Sequence, residues 1–309
     1  MTVILLGPQR FRPSVRNTVR SLDVEGPVAT VTAGWREREP DDDELDELLD
    51  GRTLNLELYR RRQDVMARDA EFAEAARARS QTLKELHGVY VLRLDHAIAA
   101  VSDLVVRDVH ASIAATAIDD AIEALRELDR RHLELVAEVH AEFYDRTAPH
   151  DRAVIAEHRA EVAALLERCA AVTIAGGHIG ALSWCLNLFN VRPALESKPV
   201  VGWSAGAMVL CERMVLFNDQ APDGRAYAEA YDAGLGMCQD IVALPHARRR
   251  LRLDDPVRVL VFARRFAPAH CVVLDDGVRV DCVAGAGCPP GARGLTDDGR
   301  VEVLAEAAA

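Results

Sequence analysis

The stretch Val200–Met208, VVGWSAGAM, places one serine between two glycines directly after a short apolar run. Gly202-Trp203-Ser204-Ala205-Gly206 fits G-x-S-x-G, the turn that carries a nucleophilic serine from the end of a strand into a helix. That turn is tight, and small neighbours are needed for the hydroxyl to stand clear of the backbone. KPVVGW reads as the strand, and SAGAMVLCERM as the helix that leaves it. A small residue that merely lets the chain turn would give the same local pattern, so the residues around it decide.

Upstream, AVTIAGG is a buried strand ending in two glycines, and IGALSWCLNLF a helix. At the N-terminus TVILLGP and PVATVTAGW read as strands, PDDDELDELLD as a helix with an acidic first turn, and TLNLELY as a third strand. Alternating strands and helices predict an α/β fold, a mostly parallel sheet flanked by helices. CVVLDDGVRVDCV predicts a strand pair about an Asp-Gly turn, and RVEVLA a last strand.

Between about Tyr59 and Cys169 glycine almost vanishes, and Ala, Glu, Arg and Leu dominate. Ile118, Ile122, Leu125, Val136, Val139 and Phe143 form one apolar stripe of a long helix, and Ile155, Val162, Leu165 and Cys169 a second. Residues 62–168 are therefore expected to be a long helical insertion within a single hydrolytic α/β domain spanning 1–309. It would pack on itself, on the sheet or on a second copy of the chain, which leaves a homodimer open. GVYVLRL, rich in β-branched and aromatic residues, admits a short strand inside it. His87, His96, His110, His132, His140, His150 and His158 fall here, none with a Glu three residues earlier. They read as solvated or helix-edge residues, with no metal expected.

The 309 residues carry a net charge of −12, against a general nucleic-acid or anionic-membrane partner. The seven cysteines, odd in number and without a C-x-x-C pair, suit reduced thiols of a cytoplasmic protein. No leader is expected, since the apolar run Val3–Leu6 is too short for one.

A hydrolytic serine needs a base, a group that orients the base, and backbone donors for the oxyanion. After Ser204, LFNDQAP offers Asp219 and ALPHARRR offers His246, in the order Ser, Asp, His. Alone, Asp219 could be a loop aspartate and His246 a half-buried imidazole. Together with Gly176-Gly177, the G-x-S-A-G-A elbow, Asn218-Asp219, AGLGM (233–237), and His246 followed by Arg250 and Arg252, they form an ordered set. In these features the stretch 171–281 resembles the serine peptidases typified by dipeptidase E and cyanophycinase.

The resemblance implies a class I glutamine amidotransferase-like, flavodoxin-like fold and a cofactor-free serine peptidase. Ser204 would attack, His246 would act as base and then acid, and Asp219 would hold the imidazole. The N–H groups of Gly177 and Ala205 would form the oxyanion hole. The substrate would be a small peptide or isopeptide, acidic and aspartyl in type, touching Gly176, His178, Arg250 and Arg252. Arg10 and Arg12, after the first strand, lie where open α/β sheets bind ligands. Two features depart from the family: His178 stands where a small polar residue usually follows the glycines, and the helical insertion is additional. They admit an alternative, a catalytically weak protein with this fold that works through the insertion as a binding or assembly module.

Overall fold

The computed structural model describes residues 1–220 and 227–304. The first half of the α/β layer comprises β1 (Thr2–Leu6), α1 (Val15–Arg20), β2 (Val28–Val31), α2 (Asp43–Leu48) and β3 (Thr53–Asn55). Four helices follow, α3 (Leu58–Arg68), α4 (Ala70–Val105), α5 (Ala111–Thr147) and α6 (Ala153–Glu167). The layer resumes with β4 (Ala171–Ile174), α7 (Ile179–Leu188), α8 (Arg192–Leu195), β5 (Val200–Trp203) and α9 (Ala205–Leu210). The C-terminal part adds β6 (Arg213–Leu216), β7 (Glu229–Ala233), β8 (Ile241–Pro245), α10 (Ala247–Arg250), α11 (Pro256–Phe266), β9 (His270–Leu274), β10 (Arg279–Val283), β11 (Arg293–Leu295) and β12 (Val301–Val303).

The central sheet runs β10-β1-β5-β4-β2-β3, parallel except for β10, which lies antiparallel on β1. β2, β4 and β5 are buried at every residue, as continuous apolar strands covered on both faces must be. β10 alternates exposed and buried residues, as suits a half-covered edge. The fold is thus α/β with a mostly parallel sheet, as the sequence predicts. A second sheet, β12-β11-β9-β8, and the β6–β7 hairpin stand beside it.

Three local expectations are corrected. TLNLELY is strand only to Asn55, because Glu57 turns left-handed (φ 48°) and α3 begins at Leu58. The buried Glu39 carboxylate accepts from the N–H groups of Tyr59 (2.9 Å) and Arg60 (2.8 Å), which caps that helix from outside. GVYVLRL lies within α4, where Tyr90, Val91, Leu94, Ile98 and Val101 share a buried face and Val89 and Leu92 face water. Helical spacing there outweighs β propensity. Finally, CVVLDDGVRVDCV forms two strands that do not pair with each other. β9 lies parallel to β8, whereas β10 crosses to β1.

α4 and α5 pack along each other, with Ile122, Leu125, Val136 and Phe143 of the predicted stripe buried. His132 and His158 are buried as well, contrary to the expectation of solvated histidines. His132 stacks on Tyr90 at 3.9 Å, and burial pushes its pKa down to about 4, so it is neutral at physiological pH. A buried charge network ties the helices to the α/β layer. Asp129 of α5 receives Arg265 of α11 bidentately (2.7 Å for both bonds) and the Tyr90 hydroxyl at 2.8 Å. Removing one member of such a pair strands the other without water. Asp129→Ala should destabilise the protein by about 3–5 kcal/mol in urea unfolding, while the paired change Asp129→Leu/Arg265→Met should recover much of that loss.

Candidate active site

Ser204 follows β5 and precedes α9 with φ 51° and ψ −120°, a backbone conformation rare for a residue with a side chain. The turn closes because its glycines allow backbone contact. A Cβ on Gly206 would lie 2.0 Å from the Ile174 carbonyl oxygen, and one on Gly202 2.7 Å from that of Gly206. The serine is thereby pushed to the C-terminal edge of the sheet, next to the end of β4. A Cβ on Gly176 would come within 2.8 Å of Ser204 Cβ, so the Gly-Gly segment passes directly beside the hydroxyl. Gly177 holds φ +122° and packs against the Gly34 backbone. Among the described residues no turn or loop hydrogen bond uses the N–H of Gly177 or Ala205. Both therefore remain free to donate to an incoming oxygen.

His246, after β8, also has a left-handed backbone (φ 58°), and its N–H bonds the Leu274 carbonyl at 3.1 Å. Its Nε2 lies 3.5 Å from Ser204 Oγ, a loose contact of the kind that tightens when substrate displaces water. Burial, then the guanidiniums of Arg250 and Arg249, lower the His246 pKa, while the carboxylates of Asp276 and Asp275 oppose that shift.

The structure brings Ser204 and His246 together but places Asp219 elsewhere. The Asp219 side chain is fully buried against Arg258, with bonds of 2.6 and 3.1 Å, and also accepts from the Arg252 N–H at 3.1 Å. A carboxylate bonded in this way ties its loop to α11, and among the described residues it makes no hydrogen bond to His246. The carboxylates that oppose the lowering of the His246 pKa, Asp276 and Asp275, lie in the turn after β9, where the sequence pattern predicts a simple Asp-Gly turn. One oxygen of Asp276 bonds Arg249 at 2.9 Å, and the other is buried without a hydrogen-bond partner among the described residues. The signal was an acidic pair directly following a buried strand.

Ser204, His246, Gly176, Gly177 and Ala205 line one cavity of about 1030 Å3. Arg10 and Arg250 line it too, and neither has a carboxylate partner among the described residues; Arg38, on the same wall, pairs with Asp41 at 3.1 Å. Arg12 and Arg252 are not on the wall. His178 is absent from it as well, because its Nδ1 caps α7 by accepting from the Ala181 N–H at 3.1 Å. Among the described residues no group of three or more His, Cys, Asp or Glu side chains is placed to hold a metal, and no helix is long and apolar enough to cross a membrane.

Residues 135–282 match the family model of peptidase family S51. The match contains Ser204, His246 and the acidic turn, and supports a serine peptidase-like hydrolase. A crystal structure of a peptidase from an acI-B1 actinobacterium is similar over 98% of this chain and 93% of that one, with 13% sequence identity and a TM-score of 0.46. Among curated proteins none matches.

Because His246 titrates below the ordinary histidine value, hydrolysis should persist into mildly acidic solution before protonation of the base removes it. Asp276→Asn removes an influence that raises this pKa. A pH profile of kcat/KM should therefore show its acid limb moved to lower pH in the variant, with a reduced plateau.

Proposed function

We propose that the protein is a serine peptidase of the S51 type that cleaves a peptide or isopeptide bond in a small acidic substrate. The observation that carries the reading is the contact between Ser204 Oγ, on a strained strand-to-helix turn, and His246 Nε2, beside two unbonded backbone N–H groups. Ser204 attacks the scissile carbonyl as His246 takes its proton. The tetrahedral oxygen is received by the N–H groups of Gly177 and Ala205, and the imidazolium then protonates the leaving amine. Water, deprotonated by His246, releases the acyl group in the second half-reaction.

Asp276 is the better candidate than Asp219 to stabilise the imidazolium. It has a buried oxygen without a hydrogen-bond partner among the described residues and acts electrostatically on His246, whereas Asp219 is committed to Arg258. In this reading residues 1–309 form one hydrolytic unit, with 62–168 as an insertion in it.

The substrate class follows from the two unpaired guanidiniums on the cavity wall. Arg10 and Arg250 offer planar donors to a carboxylate, at a site partly shielded from water. Ser204→Ala should abolish both hydrolysis and labelling by a fluorophosphonate probe; a folded wild-type protein that never labels would refute the serine mechanism. Arg250→Gln should lower kcat/KM for aspartyl peptides by about ten- to a hundredfold, and for neutral analogues far less. Equal small losses on both would remove the carboxylate clamp and leave the hydrolase.

A further inference from the structure

Gly177 and Ile179 line the active-site cavity, while His178 and Gly180 line a second cavity of about 470 Å3, so the two share one wall. The far wall of the second is built by the helices between β3 and β4, through Arg62 of α3, Arg79 of α4 and Tyr144 of α5. Both guanidiniums lie on the Trp184 ring of α7, at 4.6 Å for Arg62 and 4.7 Å for Arg79. Arg79 is only 8% exposed.

Neither arginine has a carboxylate ion pair among the described residues, although acidic residues outnumber basic ones 49 to 37. Asp232 is the one carboxylate on the described wall, and it is taken by His140 Nε2 (3.0 Å) and the Ala233 N–H (2.8 Å). Arg62 Nε, Arg79 Nε, His140 Nδ1 and Trp184 Nε1 are four buried side-chain nitrogens without a hydrogen-bond partner among the described residues. Three of these four can only donate. Burial lowers the Arg79 pKa, and its Tyr144 neighbour, which it hydrogen-bonds, and Asp232 offset only part of that shift. Stacking on aromatic rings offsets part of that cost but satisfies no N–H.

We infer that this cavity is an oxyanion-binding site, which takes a carboxylate or phosphate group against the guanidiniums of Arg62 and Arg79. The anion has two sources: a free small acid, or the remote carboxylate of a substrate whose scissile bond lies at Ser204. Only the second source rests on the peptidase reading. The site belongs to the helical segment as much as to the sheet, which gives those helices a role in ligand binding.

Isothermal titration of the full chain with inorganic phosphate, and separately with succinate, tests the site without any turnover. Saturable binding is expected for the wild type, Ser204→Ala and Arg250→Gln alike. Arg62→Gln should weaken it by about ten- to a hundredfold. Arg79→Gln should do the same where circular dichroism shows it folded; Arg62, half-buried, decides the matter if Arg79→Gln does not fold. The absence of saturable binding, or binding that survives Arg62→Gln but is lost in Arg250→Gln, overturns the proposal. Phosphate that raises KM for a peptide in Arg250→Gln, but no longer does so when Arg62→Gln is added, identifies the occupant as the substrate's own carboxylate. Binding that leaves KM unmoved identifies it as a free anion, and both results uphold the site.

Discussion

Three backbone segments meet in this molecule at distances that exclude any side chain. A Cβ on Gly34 would lie 2.6 Å from the Gly176 carbonyl oxygen, one on Gly177 2.4 Å from that of Gly34, and one on Gly206 2.0 Å from that of Ile174. The obstructing atoms are backbone, so no rotamer change could relieve a substitution there. This contact fixes the ends of β2, β4 and β5 relative to one another, and with them the Gly177 and Ala205 N–H groups around Ser204. The strained φ of Ser204 is held by the same packing, since the turn cannot open without separating the strands that flank it.

The helices between β3 and β4 are joined to that frame by buried polar groups as well as apolar ones. Glu39 caps α3 from the loop after β2, and its carboxyl is held above the usual range by burial. Arg61 of α3 bonds the Leu56 carbonyl at 2.9 Å and meets His158 and Glu161 of α6. Asp129, Tyr90 and Arg265 lock the α4–α5 pair to α11, while Arg265 also donates to the Ala228 carbonyl at 2.7 Å. Apolar faces can slide along one another at modest cost, whereas a bidentate ion pair out of water has one satisfactory geometry. The long helices are therefore positioned against the sheet as well as covering it, and the cavity at Arg62 and Arg79 lies in the seam so created.

Much of this was legible in the sequence because it depends on local pattern. Buried parallel strands announce themselves as unbroken apolar runs, and VVGWSAGAM contains both the strand end and the glycines its turn requires. The α5 stripe could be read from spacing alone. Long-range choices could not. Glu39 ends the third strand by capping a helix from about twenty residues away, and nothing in TLNLELY signals that partner. The Asp-Gly turn after β9 looked like a hairpin because the competing partner of β10 is β1, at the other end of the chain. His246 and Asn218-Asp219 stood in the expected order, but the capture of Asp219 by Arg258 is tertiary and no local pattern announces it.

That capture bears on how His246 is held. His246 sits in a left-handed backbone conformation at the head of a short helix of arginines, an arrangement that like charges alone would push apart. Carboxylates pin it from both ends. Asp219 accepts from the Arg252 N–H and its own N–H bonds the Arg250 carbonyl at 2.6 Å, which closes the loop behind the helix. Asp275 accepts from the Arg248 N–H at 3.0 Å, and Asp276 takes the Arg249 guanidinium. Two of the four arginines are thus engaged in fixing the backbone around His246, and Arg252 does not line the cavity. Among the described residues Arg250 is the member of the run that lines the cavity with Ser204, and it has no carboxylate partner there. The run of arginines is one positioning device with a single member on the cavity wall, and its length in the sequence overstates the positive charge that lines the cavity.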